Sequence, residues 1–505
     1  MHEFRNNYQH YEILSSDELF TVLQFSYYLI LLFQLNNDEV YKSFMCSDFS
    51  NVSTLRVNCK TDLIHPERLK ILTKKLSKEI KNFHWDFYTT EIHTADFVEI
   101  LASMENLKEL SIYGIKTKAS TTLVGLNFPS LISISSYTND SSVQNIILTI
   151  KARNLERFTM FTKDCNCSFN INRFLRRNRN LRKLSLYGEF SNLFSIRHQT
   201  NLQFLYIEGC LDHSNTFNAI CNLRNLLFLD ISMGNVSPEA ISNLTKLNKL
   251  KKLVLRGEEN LNETTLFGNL SLISISNLES ITLEIDNIST SEDNLAKLST
   301  NFPQLENFEI VLYENRNVYD FLEKLKAVKN LSLNFEFCEI SGENLSSFFA
   351  GFQSEISSSK LKVLNLSFIN FSQKQNEENN KALLKILNFL PQLGTLTIQG
   401  IQFSFNEEFL QNLINIWRNL EEIDLEFASG DCKEFEPELL LFARLCQCVE
   451  EFCFSLNIAL QCKTHLEKFK ENLRSFKEKD LGEVSLCYDQ NFFSIKVDKR
   501  VEILA

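Results

Sequence analysis

A short apolar pattern recurs along this chain: "LKELSIYG" at Leu107, "LRKLSLYG" at Leu181, "LQFLYIEG" at Leu202 and "LKKLVLRG" at Leu250. Taking the first apolar residue as position 1, positions 1, 4 and 6 are apolar and position 5 is usually polar. Looser copies begin at Val52, Ile80, Leu131, Leu155, Leu226, Leu278, Leu305, Val328, Leu361, Leu393, Leu420, Val449 and Leu481. That makes seventeen starts at a mean spacing of about 27 residues, a period typical of repeat architectures. The alternation over positions 4 to 6 has the period of a strand. No single copy can bury its three apolar residues alone, so each is expected to pack against the copies before and after it.

Between the predicted strands lie segments with helical period and start signals. "SPEAISNL" places Ser237 at the N-cap and Pro238 at the first helical position. "NEEFLQNLINIW" puts Phe409, Leu410, Leu413 and Ile416 on one face after Asn406, and "PELLLFARL" from Pro437 reads the same way. Some copies are irregular: "LISISSY" has Ser136 at an apolar position, and the copies starting at Val328 and Leu361 are longer.

Strand, helix and two loops in each unit resemble leucine-rich repeats of the ribonuclease-inhibitor-like class. The resemblance covers nearly the whole chain. It implies an α/β solenoid, a horseshoe of about seventeen repeats with a parallel sheet on its concave side and helices on its convex side. The expected organisation is a helical N-terminal cap over 1–51, the solenoid over 52–480, and a last repeat with a C-terminal hairpin cap over 481–505. The apolar run 19–35 is expected to be a buried capping helix. It is short for a membrane span, is interrupted by polar residues and lacks basic anchors. The hairpin is expected to turn at Asp489-Gln490-Asn491 and to cover the open sheet edge.

In such a fold positions 3, 5 and 7 stand on the concave sheet face. They carry Tyr113, Tyr137, Phe161, Tyr187, Phe204, Tyr206 and Phe228, with Arg157, Lys183, Lys252 and Arg256 nearby. Aromatic side chains with arginine are the usual material of a protein-binding surface, although rings on neighbouring strands also ladder against one another. Farther on the same positions turn polar (Ser280, Thr282, Asn330, Ser332, Asn365, Thr395), then acidic (Glu422, Asp424, Glu426, Glu451, Glu483). Such a gradient would orient a partner with a basic end.

Composition narrows the function. A net charge of −11 argues against general nucleic-acid binding. The 13 cysteines are scattered, and residues 1–18 do not read as a secretory leader, so free thiols in the cytoplasm are expected, which also counts against a membrane-tethered receptor ectodomain. Only 13 glycines and 6 prolines leave little room for phosphate loops or proline-rich linkers. Cys432, Cys446, Cys448, Cys453 and Cys462 with His465 match no common zinc spacing. "NRFLRRNRNLRK" concentrates Arg173, Arg176, Arg177, Arg179, Arg182 and Lys183, a solvated helix face or a patch for an acidic group. No catalytic signature is present, and no metal or cofactor is expected. The reading is a non-catalytic scaffold or adaptor of the cytoplasm or cytoskeleton that binds a protein, with no nucleic acid or membrane involved. The alternative is a substrate receptor of a ubiquitin ligase, because "SSDELFTVLQFSYYL" at 15–29 is similar to the start of an F-box. It departs from that pattern at Ser16, where a proline is expected, and at the region "YKSFMC".

Overall fold

The computed structural model describes residues 28–32, 42, 52–59, 66–87, 91–118, 125–162, 168–188, 190, 192–211, 214–233, 238–257, 270, 273–284, 292–312, 324–325, 327–335, 360–368, 377–403, 407–416, 422–427, 453–458, 483–489 and 492–498. The chain divides into two compact units, Met1–Leu250 and Lys251–Ala505.

In the first unit a parallel strand forms at every repeat. Thr54–Cys59, Asn82–Phe87, Glu109–Tyr113, Ser133–Tyr137, Arg157–Phe161, Lys183–Tyr187, Phe204–Leu211 and Phe228–Met233 follow one another in sheet order as in sequence. Position pairs with like position, so Leu110, Ile134, Phe158, Leu184 and Leu205 form one buried row. The position-1 leucines Leu107, Leu131, Leu155, Leu181, Leu202 and Leu226 are fully buried too. "NLRKLSLYG" is thus packed between "LERFTMF" and "LQFLYIEG", as its three leucines require.

Helices cover the face to which the even positions point. Phe97, Ile100 and Leu101 of the helix Thr94–Ala102 and Ile171, Phe174 and Leu175 of Ser168–Arg177 are fully buried. Their rings meet strand residues: Trp85 lies 5.5 Å from Phe97, and Phe158 4.3 Å from Phe174. Lys70, on the helix Pro66–Lys75, bonds Asp96 at 2.5 Å and Glu99 at 3.2 Å on the next helix, and Asp96 above all holds its ammonium charged to unusually high pH.

Backbone bonding locks repeat to repeat. The position-2 carbonyl of one repeat accepts two N–H groups of the next: Glu156 from Arg182 (2.8 Å) and Lys183 (2.9 Å), and in the second unit Lys362 from Gly394 (2.8 Å) and Thr395 (2.9 Å). The asparagine just before position 1 adds a side-chain bond to the preceding repeat. Asn106, Asn154, Asn180 and Asn225 donate to the carbonyls of Lys78, Pro129, Arg153 and Thr200, each at 2.9 Å. Carbonyls that the turns would leave open are satisfied in this way.

The second unit repeats the scheme. Lys252–Gly257, Ser280–Glu284, Asn307–Leu312, Asn330–Phe335, Val363–Phe368, Thr395–Phe403, Glu422–Phe427 and Cys453–Ile458 are parallel and in sequence order. The predicted helix after Asn406 is present as Glu407–Ile416, with Phe409 and Leu413 buried, and Pro238 opens the short helix Pro238–Ser242. Both Asn406 and Ser237 lie outside the described residues, as does the segment from Pro437.

Four expectations are corrected. Tyr28–Leu32, read as part of a capping helix, is a strand parallel to Thr54–Cys59, with Tyr28 opposite Thr54. Its register makes it a further repeat strand, with Leu29 and Leu31 at positions 4 and 6 and the polar Ser26 at position 1. It also takes Tyr28 and Leu29 out of any helix of the F-box-like stretch, whose remainder lies outside the described residues. Near the other end Cys453 pairs with Glu422, so Cys453 holds position 3 and the motif begins two residues after Val449. The motif at Leu481 is not a further parallel repeat: Glu483–Asp489 is the outer arm of an antiparallel hairpin whose other arm, Phe492–Asp498, pairs antiparallel with Cys453–Ile458. Asp489 stands opposite Phe492, while Gln490 and Asn491 of the expected turn lie outside the described residues, and the returning arm is the one that covers the edge. Finally, a full helix does not fit every repeat. Among the described parallel repeat strands, those starting at Lys183 and Phe204 are the closest together, and the 3₁₀ turn Phe194–His198 bridges them.

Ser136 holds an apolar position, as its motif suggested. It is fully buried in register between Ile112 and Met160, and its hydroxyl has no hydrogen-bond partner among the described residues. Burying an unpaired hydroxyl costs about 1–3 kcal/mol. Ser136→Ala is therefore expected to stabilise the first unit by about 1 kcal/mol, read as a higher urea midpoint with an unchanged slope.

Candidate functional site

The odd positions of the first unit stand on the face opposite the helices, and three rows cross the strands there. Position 7 carries Tyr113, Tyr137, Phe161 and Tyr187 on four adjacent strands. Ring centroids lie 6.0 Å apart for Tyr113 and Tyr137, 6.2 Å for Tyr137 and Tyr187, and 4.7 Å for Tyr187 and Tyr206. Tyr206 occupies position 5 of the following strand, and its hydroxyl donates to the Glu208 carboxylate at 2.6 Å. Burial, reinforced by Tyr187 and Tyr113, raises the pKa of the Tyr137 phenol, so it stays a neutral donor.

Position 3 carries Glu109, Ser133, Arg157, Lys183, Phe204 and Phe228 in the same order. Phe204 and Phe228 lie 6.3 Å apart. The predicted aromatic band therefore has two parts, a tyrosine ladder and a phenylalanine pair. Positions 7 and 3 stand four residues apart along a strand, about 13 Å, and Tyr206, at position 5, stands between the two parts. Arg157 reaches across a whole repeat to bond Glu109 at 2.6 Å, while Lys183 is exposed beside Phe204.

Between these rows runs one that sequence reasoning passed over. Position 5 carries Ser111, Ser135, Thr159 and Ser185 on adjacent strands. These small hydroxyls make a low floor between the tyrosine ladder and the charged row. The signal was present in "LSI", "ISS", "FTM" and "LSL", but only large side chains were counted. Toward the first repeats the same line continues with Arg56 and His84. Burial, then Arg56, lowers the pKa of His84, which favours its neutral form.

In the second unit the expected bases are largely occupied. Arg256 donates to Glu284 at 2.7 Å, and Lys251 to Glu279 at 2.7 Å, beside the exposed Lys252. Thr282, Glu309, Ser332, Asn365 and Thr397 are in register at position 5, and Ser280, Asn307 and Asn330 at position 3. All of these but Thr397 line a polar cleft of about 480 Å³. Glu422, Asp424 and Glu426 fall at positions 3, 5 and 7 of their strand, but their side chains lie outside the described residues. Glu483 belongs to the outer hairpin arm, and Glu451 is outside the described residues.

The basic run 173–183 is dispersed by the fold. Arg177 turns inward and donates to the carbonyls of Leu148 and Thr149, capping the helix Ser141–Thr149. Arg176 bonds the Ser195 hydroxyl at 3.0 Å and lies over the Phe194 ring, Arg179 bonds the Arg176 carbonyl, and Arg182 approaches Glu156 at 3.9 Å. Most of the cluster thus ties neighbouring connections together.

Of the cysteine-rich segment only Cys453 is described, on its strand. Among the described residues no group of three His, Cys, Asp or Glu could hold a metal ion, and no helix is long and apolar enough to cross a membrane.

Neither a protein-family model nor a curated protein matches the chain. Among solved structures it is similar to an internalin from Listeria monocytogenes, with 18% identity, a TM-score of 0.39, and coverage of 72% of this chain and 90% of that one. The leucine-rich-repeat fold is read from the strand registers: parallel strands in sequence order, position paired with position, in each unit.

Proposed function

We propose that the chain is a non-catalytic interaction scaffold of the ribonuclease-inhibitor-like repeat class, and that a protein partner binds the exposed sheet face of residues 109–228. One observation carries this reading. Four large hydrophobic residues are exposed among the described ones, and three of them, Tyr113 (42%), Tyr137 (36%) and Phe204 (42%), stand on this face. Exposed aromatic surface concentrated on one side is what a partner would desolvate, and tyrosine supplies both apolar area and a polar tip. The floor of hydroxyls between two raised rows suits a segment lying across the strands. The 13 scattered cysteines, an odd number, support a cytoplasmic setting. No observation favours the ligase-receptor reading.

The test is a paired capture from the native cell, read by mass spectrometry. One bait is the unaltered chain. The other carries Tyr187→Ser, Tyr206→Ser and Phe228→Ser, with folding verified by circular dichroism. Loss of a partner from the second bait supports the reading, and an unchanged set of partners refutes it.

A further inference from the structure

We infer that the polar cleft of the second unit is a recognition site for an arginine side chain on an extended segment of a partner protein. This deepens the reading of the exposed sheet as a binding surface and rests on it. The cleft spans the strands Lys252–Gly257 to Val363–Phe368, and its mouth is polar because its apolar lining is inside: Ile281, Phe308 and Leu331 are each 1% exposed. No aromatic face is offered, which disfavours a sugar ring or a nucleobase.

The floor is a line of acceptors. Glu309 sits half-buried at its centre, flanked in register by Thr282 and Ser332, with Asn365 beyond. Thr282 donates its hydroxyl to the Glu309 carboxylate at 3.2 Å, and among the described residues that carboxylate has no cationic partner. The neighbouring acid Glu279 is already paired with Lys251. Along position 3 Asn330 donates to the Asn307 side chain, and Asn307 donates to the Glu279 carbonyl at 3.3 Å. This chain of amides runs one way, and among the described residues nothing donates to the Asn330 side-chain carbonyl oxygen, which stands as an acceptor. A carboxylate with neutral oxygens around it matches a guanidinium, which brings one positive charge and five N–H donors in a plane.

The test uses a phage-displayed library of random dodecapeptides selected on the full chain. Enriched peptides are synthesised with each arginine also replaced by citrulline, which keeps shape and removes charge. The expected result is a shared arginine in a polar setting. Affinity should fall at least tenfold on citrulline replacement and by a similar factor on Glu309→Gln, a variant that still accepts the Thr282 hydroxyl. Recovery of no peptides, of peptides without a shared arginine, or of peptides indifferent to Glu309→Gln overturns the inference. Peptides lost with the Tyr187, Tyr206 and Phe228 replacements but not with Glu309→Gln would place binding on the aromatic face alone, sparing the proposed function and refuting this site. Peptides sensitive only to Glu309→Gln, beside an aromatic variant that keeps every cellular partner, would do the reverse.

Discussion

Gly188→Ala is expected to cost the first unit about 3 kcal/mol or more. Gly188 follows position 7 at φ +119°, a region closed to residues with a Cβ. A Cβ built there would sit 1.7 Å from the Thr162 carbonyl oxygen and 2.9 Å from its carbon. Those are backbone atoms that cannot swing aside. The Gly188 N–H donates to the Glu208 carbonyl at 2.7 Å, and the Thr162 N–H donates to the Tyr187 carbonyl at 2.7 Å, so relieving the clash loosens bonds to the repeats on both sides. Gly400 occupies the same situation in the second unit, at φ +78° with its Cβ position 1.8 Å from the Phe368 carbonyl oxygen. Gly125, with nothing within 4 Å of its Cβ position, is the control. Chemical denaturation should show a large loss for Gly188→Ala and a change within about 0.5 kcal/mol for Gly125→Ala. Equal midpoints for the two variants would mean that the repeats are not held at this close approach.

The triple replacement of Tyr187, Tyr206 and Phe228 by serine should weaken the partner at least a hundredfold, about 2.7 kcal/mol, with little change in stability. The three residues come from three adjacent strands and touch both aromatic clusters. Tyr187 is the joint of the ladder, in ring contact with Tyr137 and Tyr206, and Phe228 supports the exposed Phe204. Buried aromatic anchors carry most of the energy of protein interfaces, whereas exposed rim charges carry little. Lys183→Ser should therefore change affinity by a few-fold at most. Titration of the captured partner onto each variant, at matched salt, measures both effects. A triple variant that binds within a factor of three of the unaltered chain would contradict the assignment of the anchors.

The strands were legible because their burial is written in three residues per copy. Leu181, Leu184 and Leu186 all reach full burial, and the alternation between them fixes which neighbours face outward. Reading failed where one of the three was missing or the spacing slipped. A polar residue, Ser26, where the motif asks for its first apolar one hid the strand Tyr28–Leu32 inside a mostly apolar run that reads equally well as a helix. At the other end, Val449 and Phe452 mimicked a motif offset by two residues, which preserves alternation and so cannot be told from sequence alone. The hairpin that ends the second unit looked like one more repeat because both use the same alternation; only strand direction separates them.

Of the candidate site, residue identity and facing were readable, and pairing was not. Tyr113, Tyr137, Phe161 and Tyr187 stand in one row as their shared position required. That Arg157 is held by Glu109 from two strands away, or Arg256 by Glu284 on the next, depends on long side chains whose direction the motif does not set. Two signals were in plain view and unused. Asparagine precedes position 1 in "NLKEL", "NLERF", "NLRKL" and "NLLFL", and it proves to be an inter-repeat bond. Glycine closes "LSLYG" and "LTIQG", where the backbone approaches its neighbour too closely for any side chain.

The most direct test of binding on the exposed sheet is site-specific photo-cross-linking. The photoreactive p-benzoylphenylalanine would replace Phe161, in the tyrosine ladder, and in a second protein Arg173, exposed on the helix Ser168–Arg177 of the opposite face. Irradiation in the native cell extract should attach one partner through position 161 and not through position 173. Attachment through 173 alone, or no attachment through 161 while the partner still co-purifies, would show that the partner sits elsewhere and that the aromatic rows serve only to brace one another.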